Sequence, residues 1–175
     1  MDAFGQNTLE FQLDWPESQG AYTLEAQLQG SNGRPIRSVR EIEVIDPNSF
    51  GLAYQKTVAA SSCHDIQYLP SNAVDGDIST FWSSSFVDSA WLAVDFGKTN
   101  SIHSIHITWE NAYSKAYAIQ ASLDGQSWWD IFTEEDGKGG DNEIKIEPVQ
   151  ARHIRILCSK RGTQWGHAIR ELEVF

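Results

Sequence analysis

One oxygen-rich stretch of this 175-residue chain is Asn72-Ala73-Val74-Asp75-Gly76-Asp77-Ile78-Ser79-Thr80-Phe81-Trp82-Ser83. Two carboxylates, two hydroxyls and a glycine share one tight turn with no basic residue in it. Asp75, Asp77 and Thr80, with backbone carbonyls of a turn opened by Gly76, suit a hard cation such as calcium, which takes about six to eight oxygens. The same residues also make an ordinary surface Asp-Gly turn, and spacing leaves both readings open. An EF-hand is excluded, because no longer loop closing on Glu follows. Nucleophilic chemistry finds less support. Cys63 and His64 are neighbours, but adjacent residues of an extended chain face opposite ways, and no third group orients the imidazole. Glu134 and Glu135 are also neighbours, and cannot flank a scissile glycosidic bond. Cys63 and Cys158 lack the short paired spacing of a zinc site, and read either as a disulfide or as two packed thiols.

The elements that position these groups are strands. Seven Trp, a single Met and frequent Gly, Ser, Asn and Asp turns describe an all-β chain. Strand-like runs occur at 54–60, 90–96, 101–109, 116–122, 127–132, 143–147, 152–158 and 168–175. About eight short strands at this spacing predict a sandwich or jelly roll. Trp82, Trp91, Trp109 and Trp128 are expected in the core. His103 and His106 fall three apart on one strand, so they face opposite ways and read as structural or solvated. Upstream, Leu9, Phe11 and Leu13, then Tyr22 to Leu28, then Ile36 to Val44 alternate as three strands, with Ser31-Asn32-Gly33 as a hairpin turn. Three strands with one apolar face do not stand alone easily, so this part reads as the remnant of an immunoglobulin-like sandwich. Asp46-Pro47-Asn48-Ser49 breaks the pattern. The expected organisation is therefore a partial sandwich and linker over 1–46 and one full domain over 47–175.

A net charge of −11 repels phosphate backbones and anionic lipid, and Arg152, Arg155, Lys160 and Arg161 are spread along a strand and its following loop rather than gathered into a patch. Neither nucleic acid nor a membrane is expected as a partner. No run approaches the roughly 18 apolar residues of a membrane helix. No secretion signal follows Met1, which stands before sequence of mid-domain character, so the chain is expected to be part of a longer parent.

Five segments, in order, carry a family resemblance: 72–83 as Asn-Ala-x-Asp-Gly-x-x-x-Thr-x-Trp-Ser, 91–97 as Trp-Leu-Ala-Val-Asp-Phe-Gly, Tyr117 to Trp128 around Ser122-Leu123-Asp124-Gly125, 152–156 as Arg-His-Ile-Arg-Ile, and 171–175 as Glu-Leu-Glu-Val-Phe. Together they resemble the coagulation factor V/VIII type C, or discoidin, family, and within it the bacterial carbohydrate-binding modules of family 32. The likeness covers about residues 50–175, while the first 45 resemble, distantly, the end of an immunoglobulin-like domain next to a glycoside hydrolase.

The resemblance implies a discoidin-type jelly roll with a structural Ca2+. The ion's ligands would be Asp75 by its side chain, Asp77 by its carbonyl, Thr80 by hydroxyl and carbonyl, and Glu171 by its carboxylate. Glu171 sits beside a buried strand end marked by Leu172 and Val174, where a carboxylate needs a cation. Such an ion staples rather than catalyses. The resemblance also implies a noncatalytic accessory module that brings a secreted, cell-surface or periplasmic bacterial glycoside hydrolase or polysaccharide lyase to its oligosaccharide or polysaccharide. The catalytic domain would lie in the parent chain.

Ligands of such modules sit in loops at one end of the sandwich, where an aromatic face meets a few polar groups. The loops with that mixture hold His64, Asp65 and Tyr68; Phe86; Glu110 and Tyr113; and Arg161 and Trp165. Phe86 falls where galactose-binding relatives place a stacking aromatic. Ser83 stands where they have His, and Glu110 where they have Arg. These departures put a strict galactose ligand in doubt and leave glucan, N-acetylglucosamine and glucosamine ligands open. Phe86, Tyr113 and Trp165 either face a ligand or pack over a strand end. The rival reading is a protein- or lipid-binding discoidin adhesion domain.

Overall fold

The structure, a computed structural model, describes residues 12–14, 16, 18–29, 35–44 and 47–175. The chain divides after Asp46 into two compact units. In the first, β1 (Gly20–Gln29) and β2 (Pro35–Val44) pair antiparallel, from Gly20 opposite Val44 to Gln29 opposite Pro35. Arg37 grips the Glu25 carboxylate across the pair, and Leu24, Leu28, Ile36 and Val39 are left exposed. Of the strand expected over Leu9–Leu13, the described Gln12 and Leu13 have no regular structure. Leu9, Phe11 and the Ser31-Asn32-Gly33 turn lie outside the described residues.

The second unit is a seven-stranded antiparallel jelly-roll sandwich. Its strands are β3 (Thr57–Ala60), β4 (Trp82–Ser83), β5 (Ala90–Trp109), β6 (Ser114–Ser122), β7 (Trp129–Glu134), β8 (Asp141–Arg161) and β9 (Ala168–Val174). At 20 and 21 residues, β5 and β8 each absorb two of the strands expected from sequence, and the short β4 was not expected at all. The β5–β8 register shifts between Asp95 and Asn100 and again between Ile102 and Ser104, and such irregularities bend a ribbon enough to carry it from one layer to the next. The first half of β5 and the last half of β8 lie with β3, β6 and β7. The remaining halves lie with β9, which in turn pairs β4.

Period-two alternation sends Leu92, Val94, Ile105, Ile107, Ile119, Ile154, Ile156, Leu172 and Val174 inward to one core. Each such side chain contributes about 1.5–3 kcal/mol by leaving water. Trp82 and Trp109 join that core, but Trp91 and Trp128 do not, contrary to the sequence expectation. On β5 the inward positions belong to Leu92 and Val94, so Trp91 falls on the outer face. Trp128 precedes β7 and lies beneath the Arg155 guanidinium.

Both cysteines are free thiols. Cys158 is in the core, where burial pushes its thiol up to about 12, while Cys63 donates to the Asp65 and Tyr68 carbonyls. His106 pairs with Glu173 at 2.7 Å, and His103 is exposed. Among the described residues no helix is long and apolar enough to cross a membrane.

Candidate functional site

Trp82 organises the loop end of the sandwich. Its ring is fully buried and its indole N–H donates to the Ser62 carbonyl at 3.0 Å, which ties the loop after β3 to β4. His64 N–H donates to the Ser83 carbonyl, and Ser83 N–H to that of Tyr68, closing the same loop from both sides. With Trp82 pointing inward, Phe81 falls on the other face, where its ring stacks on Tyr68 with centroids 4.6 Å apart. The loop after β4 is stitched to the loop before β9. Ser84 N–H donates to the His167 carbonyl, and His167 N–H to the Ser84 hydroxyl. A Cβ on Gly166 would stand 2.5 Å from the Ser84 carbonyl oxygen, so only glycine permits this approach. Arg161 completes the seam by donating to Asp88 and to the Gln164 and Trp165 carbonyls, and its guanidinium holds the Asp88 carboxyl below the usual range.

These ties bring the two loop aromatics together. Phe86 and Trp165 meet edge to face at 5.5 Å and 72°, and His64 stacks on Phe86 at 4.4 Å. Phe86 is 42% exposed and Trp165 51%, so neither is spent on packing. They border a cleft of about 380 Å³ whose other walls include Tyr68, Phe81, Ser83, Glu110 and Asn111. Glu110 is fixed from three sides, accepting from Arg170, Asn111 and the Ala112 N–H.

Of the residues expected at a ligand site, the structure gathers His64, Tyr68, Phe86, Glu110 and Trp165 around this cleft. Asp65 is exposed and caps its own turn at Gln67 N–H. Arg161 braces the Trp165 loop without lining the cleft. Tyr113 is half-buried, lodged against Gly139 and Gly162 and packed on the core, and also stays outside the lining. Phe81, Asn111 and Arg170 escaped sequence reasoning. Alternation about Trp82 was a signal for Phe81, whereas nothing local marked the pairing of Arg170 with Glu110 across the fold.

Arg170 also donates to the Ile78 carbonyl at 3.0 Å, and so joins the cleft to the Asp-Gly turn. There the Thr80 hydroxyl, which has one proton, is surrounded by three acceptors: Asp75 Oδ2 at 2.8 Å, the Asp77 carbonyl at 3.0 Å and the Asn72 carbonyl at 3.3 Å. Glu171 comes across from β9, 8% exposed, with Oε2 accepting from Gly76 N–H. Burial pushes its carboxyl up to about 7, and the Asp75 charge adds to the push. Asp77 turns its carboxylate to Ser79 and leaves its carbonyl toward Thr80. Among the described residues no three His, Cys, Asp or Glu side chains form a metal cluster. The donors at this turn are two carboxylates plus carbonyls and a hydroxyl, an all-oxygen set with more acceptors than protons, which suits a hard cation.

The sequence model of the F5/8 type C domain matches residues 57–172. Polysaccharide lyase 8 family protein HylA of Enterococcus faecalis (strain ATCC 700802 / V583) is 38% identical over 104 residues, which are 58% of this chain but 7% of HylA's own length. Two solved structures from the chitosanase/glucanase of Paenibacillus sp. IK-5 are similar over most of the second unit. Chitosan-binding module 1 is 33% identical, with a TM-score of 0.70, over 71% of this chain and 98% of that one. Chitosan-binding module 2, solved in complex with chitotriose, is 32% identical, with a TM-score of 0.70, over 71% and 99%.

Proposed function

This chain belongs to the F5/8 type C domain family, and from that premise we propose that residues 47–175 are a noncatalytic carbohydrate-binding module whose ligand is an amino-sugar oligosaccharide of the glucosamine type. The observation that carries this reading is the pair of half-exposed aromatic faces, Phe86 and Trp165, set at 72° beside the fixed carboxylate of Glu110. A sugar ring presents a patch of C–H groups that packs on such faces, with hydroxyls around its rim. Glu110 and Asn111 meet those hydroxyls, and Glu110 also favours a ring carrying an ammonium group. The similarity to two chitosan-binding modules and the net charge of −11 point the same way.

Calcium belongs to the same proposal. Asp75, the Asp77 carbonyl, Thr80 and Glu171 would hold it, and the bound ion supplies the charge that two converging carboxylates need. Its role is to fix the turn that Arg170 joins to the cleft. The parent, on this reading, is a secreted bacterial polysaccharide lyase or glycoside hydrolase that the module keeps near its polymer.

Calorimetric titration of the whole chain with glucosamine, N-acetylglucosamine and glucose trisaccharides tests the proposal. Micromolar to millimolar binding, about 4–8 kcal/mol, is expected for the glucosamine trisaccharide, with the others weaker. Absence of heat with all three, or unchanged binding in Phe86→Ala and Trp165→Ala, overturns it.

A further inference from the structure

Away from the loop cleft, the outer face of the layer holding β3, β6 and β7 carries a second depression of about 340 Å³. Alternation on β5 puts Trp91, Ala93 and Asp95 on this face, opposite the inward Leu92 and Val94. Its lining includes Ala59 and Ala93, which have no side chain beyond Cβ, together with Trp91, Trp128 and His153, whose ring covers Gly125 and meets the Trp128 edge. Buried Trp82 and Trp109 each spend their indole N–H on the protein. Among the described residues the indole N–H groups of Trp91 and Trp128 make no hydrogen bond.

The charge at this depression has a specific arrangement. Arg152 is neutralised by Asp95 through two contacts of 2.8 Å. Arg155 is not paired in this way. Its Nε and Nη2 both donate to Gln120 Oε1, while Gln120 Nε2 turns to the Asp130 carboxylate at 2.7 Å, so the amide stands between the guanidinium and the nearest acid. The guanidinium lies over the Trp128 ring, 4.2 Å from its centroid, and Nη1 makes no hydrogen bond among the described residues. A planar cation held from one edge and one face, without a carboxylate partner, is preorganised for an incoming carboxylate.

We propose that this depression is a second glycan-binding site that takes a sugar unit bearing a carboxylate, a uronate. The ring lies over Ala59 and Ala93 beside the indoles, hydroxyls meet the indole N–H groups, and the carboxylate pairs with Arg155. The depression shares no residue with the loop cleft and does not depend on the reading of that cleft.

The test is a nuclear magnetic resonance titration of the whole chain, following indole N–H signals, with trigalacturonate, its methyl ester and the glucosamine trisaccharide. Trigalacturonate shifts the Trp91 and Trp128 signals, and the methyl ester does so at least about tenfold more weakly. Arg155→Gln weakens the acid by a similar factor. Ala93→Leu fills the depression from an outward strand position and abolishes the shifts with an unchanged melting temperature, whereas Trp165→Ala leaves them intact. Equal response to acid and ester, silence of both indoles at millimolar trigalacturonate, persistence of the shifts in Ala93→Leu, or their loss in Trp165→Ala overturns the proposal. The glucosamine trisaccharide reports separately on the loop cleft through Trp165.

Discussion

Trp165 gives the loop cleft an aromatic face that is half open to solvent, so its removal is felt by a ligand more than by the fold. Trp165→Ala is expected to cost about 1–2 kcal/mol of glucosamine-trisaccharide affinity, roughly five- to thirtyfold, while the melting temperature barely moves. His167, two positions on, has the opposite character. It is fully buried, Nε2 reaches the Asp88 carbonyl, and Nδ1 has no partner among the described residues. Burial holds its pKa below the ordinary 6.5, so the unfolded chain takes up the proton first as the pH falls. The His167 contribution to stability is therefore expected to fall as pH descends below about 6.5, opposed over that range by Glu171, whose raised pKa makes the folded chain take up its proton first. Thermal melts of wild type and His167→Gln should differ in slope only on that acid side. Residue types in polar loops drew attention to His64, Tyr68, Phe86, Glu110 and Trp165, which line one cleft. They could not separate these from Tyr113, because its burial depends on Gly139 and Gly162, which only the folded chain brings to its ring. For Trp91 the sequence expectation of core burial failed because an aromatic on a strand says nothing about which face it occupies until its neighbours' inward positions are known, and for Trp128 because it falls just outside β7.

The turn at 72–83 and strand β9 act as one mechanical piece, since Glu171 meets Gly76, and Arg170 meets both Ile78 and Glu110. If calcium occupies the turn, chelation lowers the melting temperature and, through Arg170, also weakens the glucosamine trisaccharide. Asp75→Asn should reproduce both effects without chelator. Differential scanning calorimetry and titration with and without calcium check this, and insensitivity of both to the metal removes calcium from the account. A second expectation concerns the hairpin ends that seat Tyr113. A Cβ on Gly162 would stand 2.3 Å from the Tyr113 ring, so Gly162→Ala is expected to cost about 1–3 kcal/mol in denaturant unfolding. The strand pattern and turn clusters made most elements readable from sequence. What they concealed was continuity: Gly97 to Asn100 reads as a break between strands, yet β5 runs through it with a register shift against β8.

Over the molecule as a whole, the net charge of −11 makes cation capture salt-dependent. Affinity for the glucosamine trisaccharide should fall as sodium chloride rises from about 0.05 to 0.5 M, while that for the neutral glucose trisaccharide changes little. The same charge bears on lipid. Ile66 at 84% exposure and Val87 at 47% are apolar loop residues near the cleft, a feature that favours membrane insertion, but Asp65 and Asp88 are exposed charges flanking these loops rather than a basic ring. Co-sedimentation with phosphatidylserine vesicles is expected to leave the protein in the supernatant, and pelleting would favour the adhesion-type reading.

Leu52 N–H donates to the Val174 carbonyl, and Phe175 exchanges bonds with Ser104. The sandwich is thus entered and left at neighbouring points. Tethered from either side it would hang as a pendant on one swivel, and tension between its two tethers would load this small seam first, sparing the curved sheets. A circular permutant that ties residue 175 to the start of the sandwich through a few glycines should consequently keep its fold.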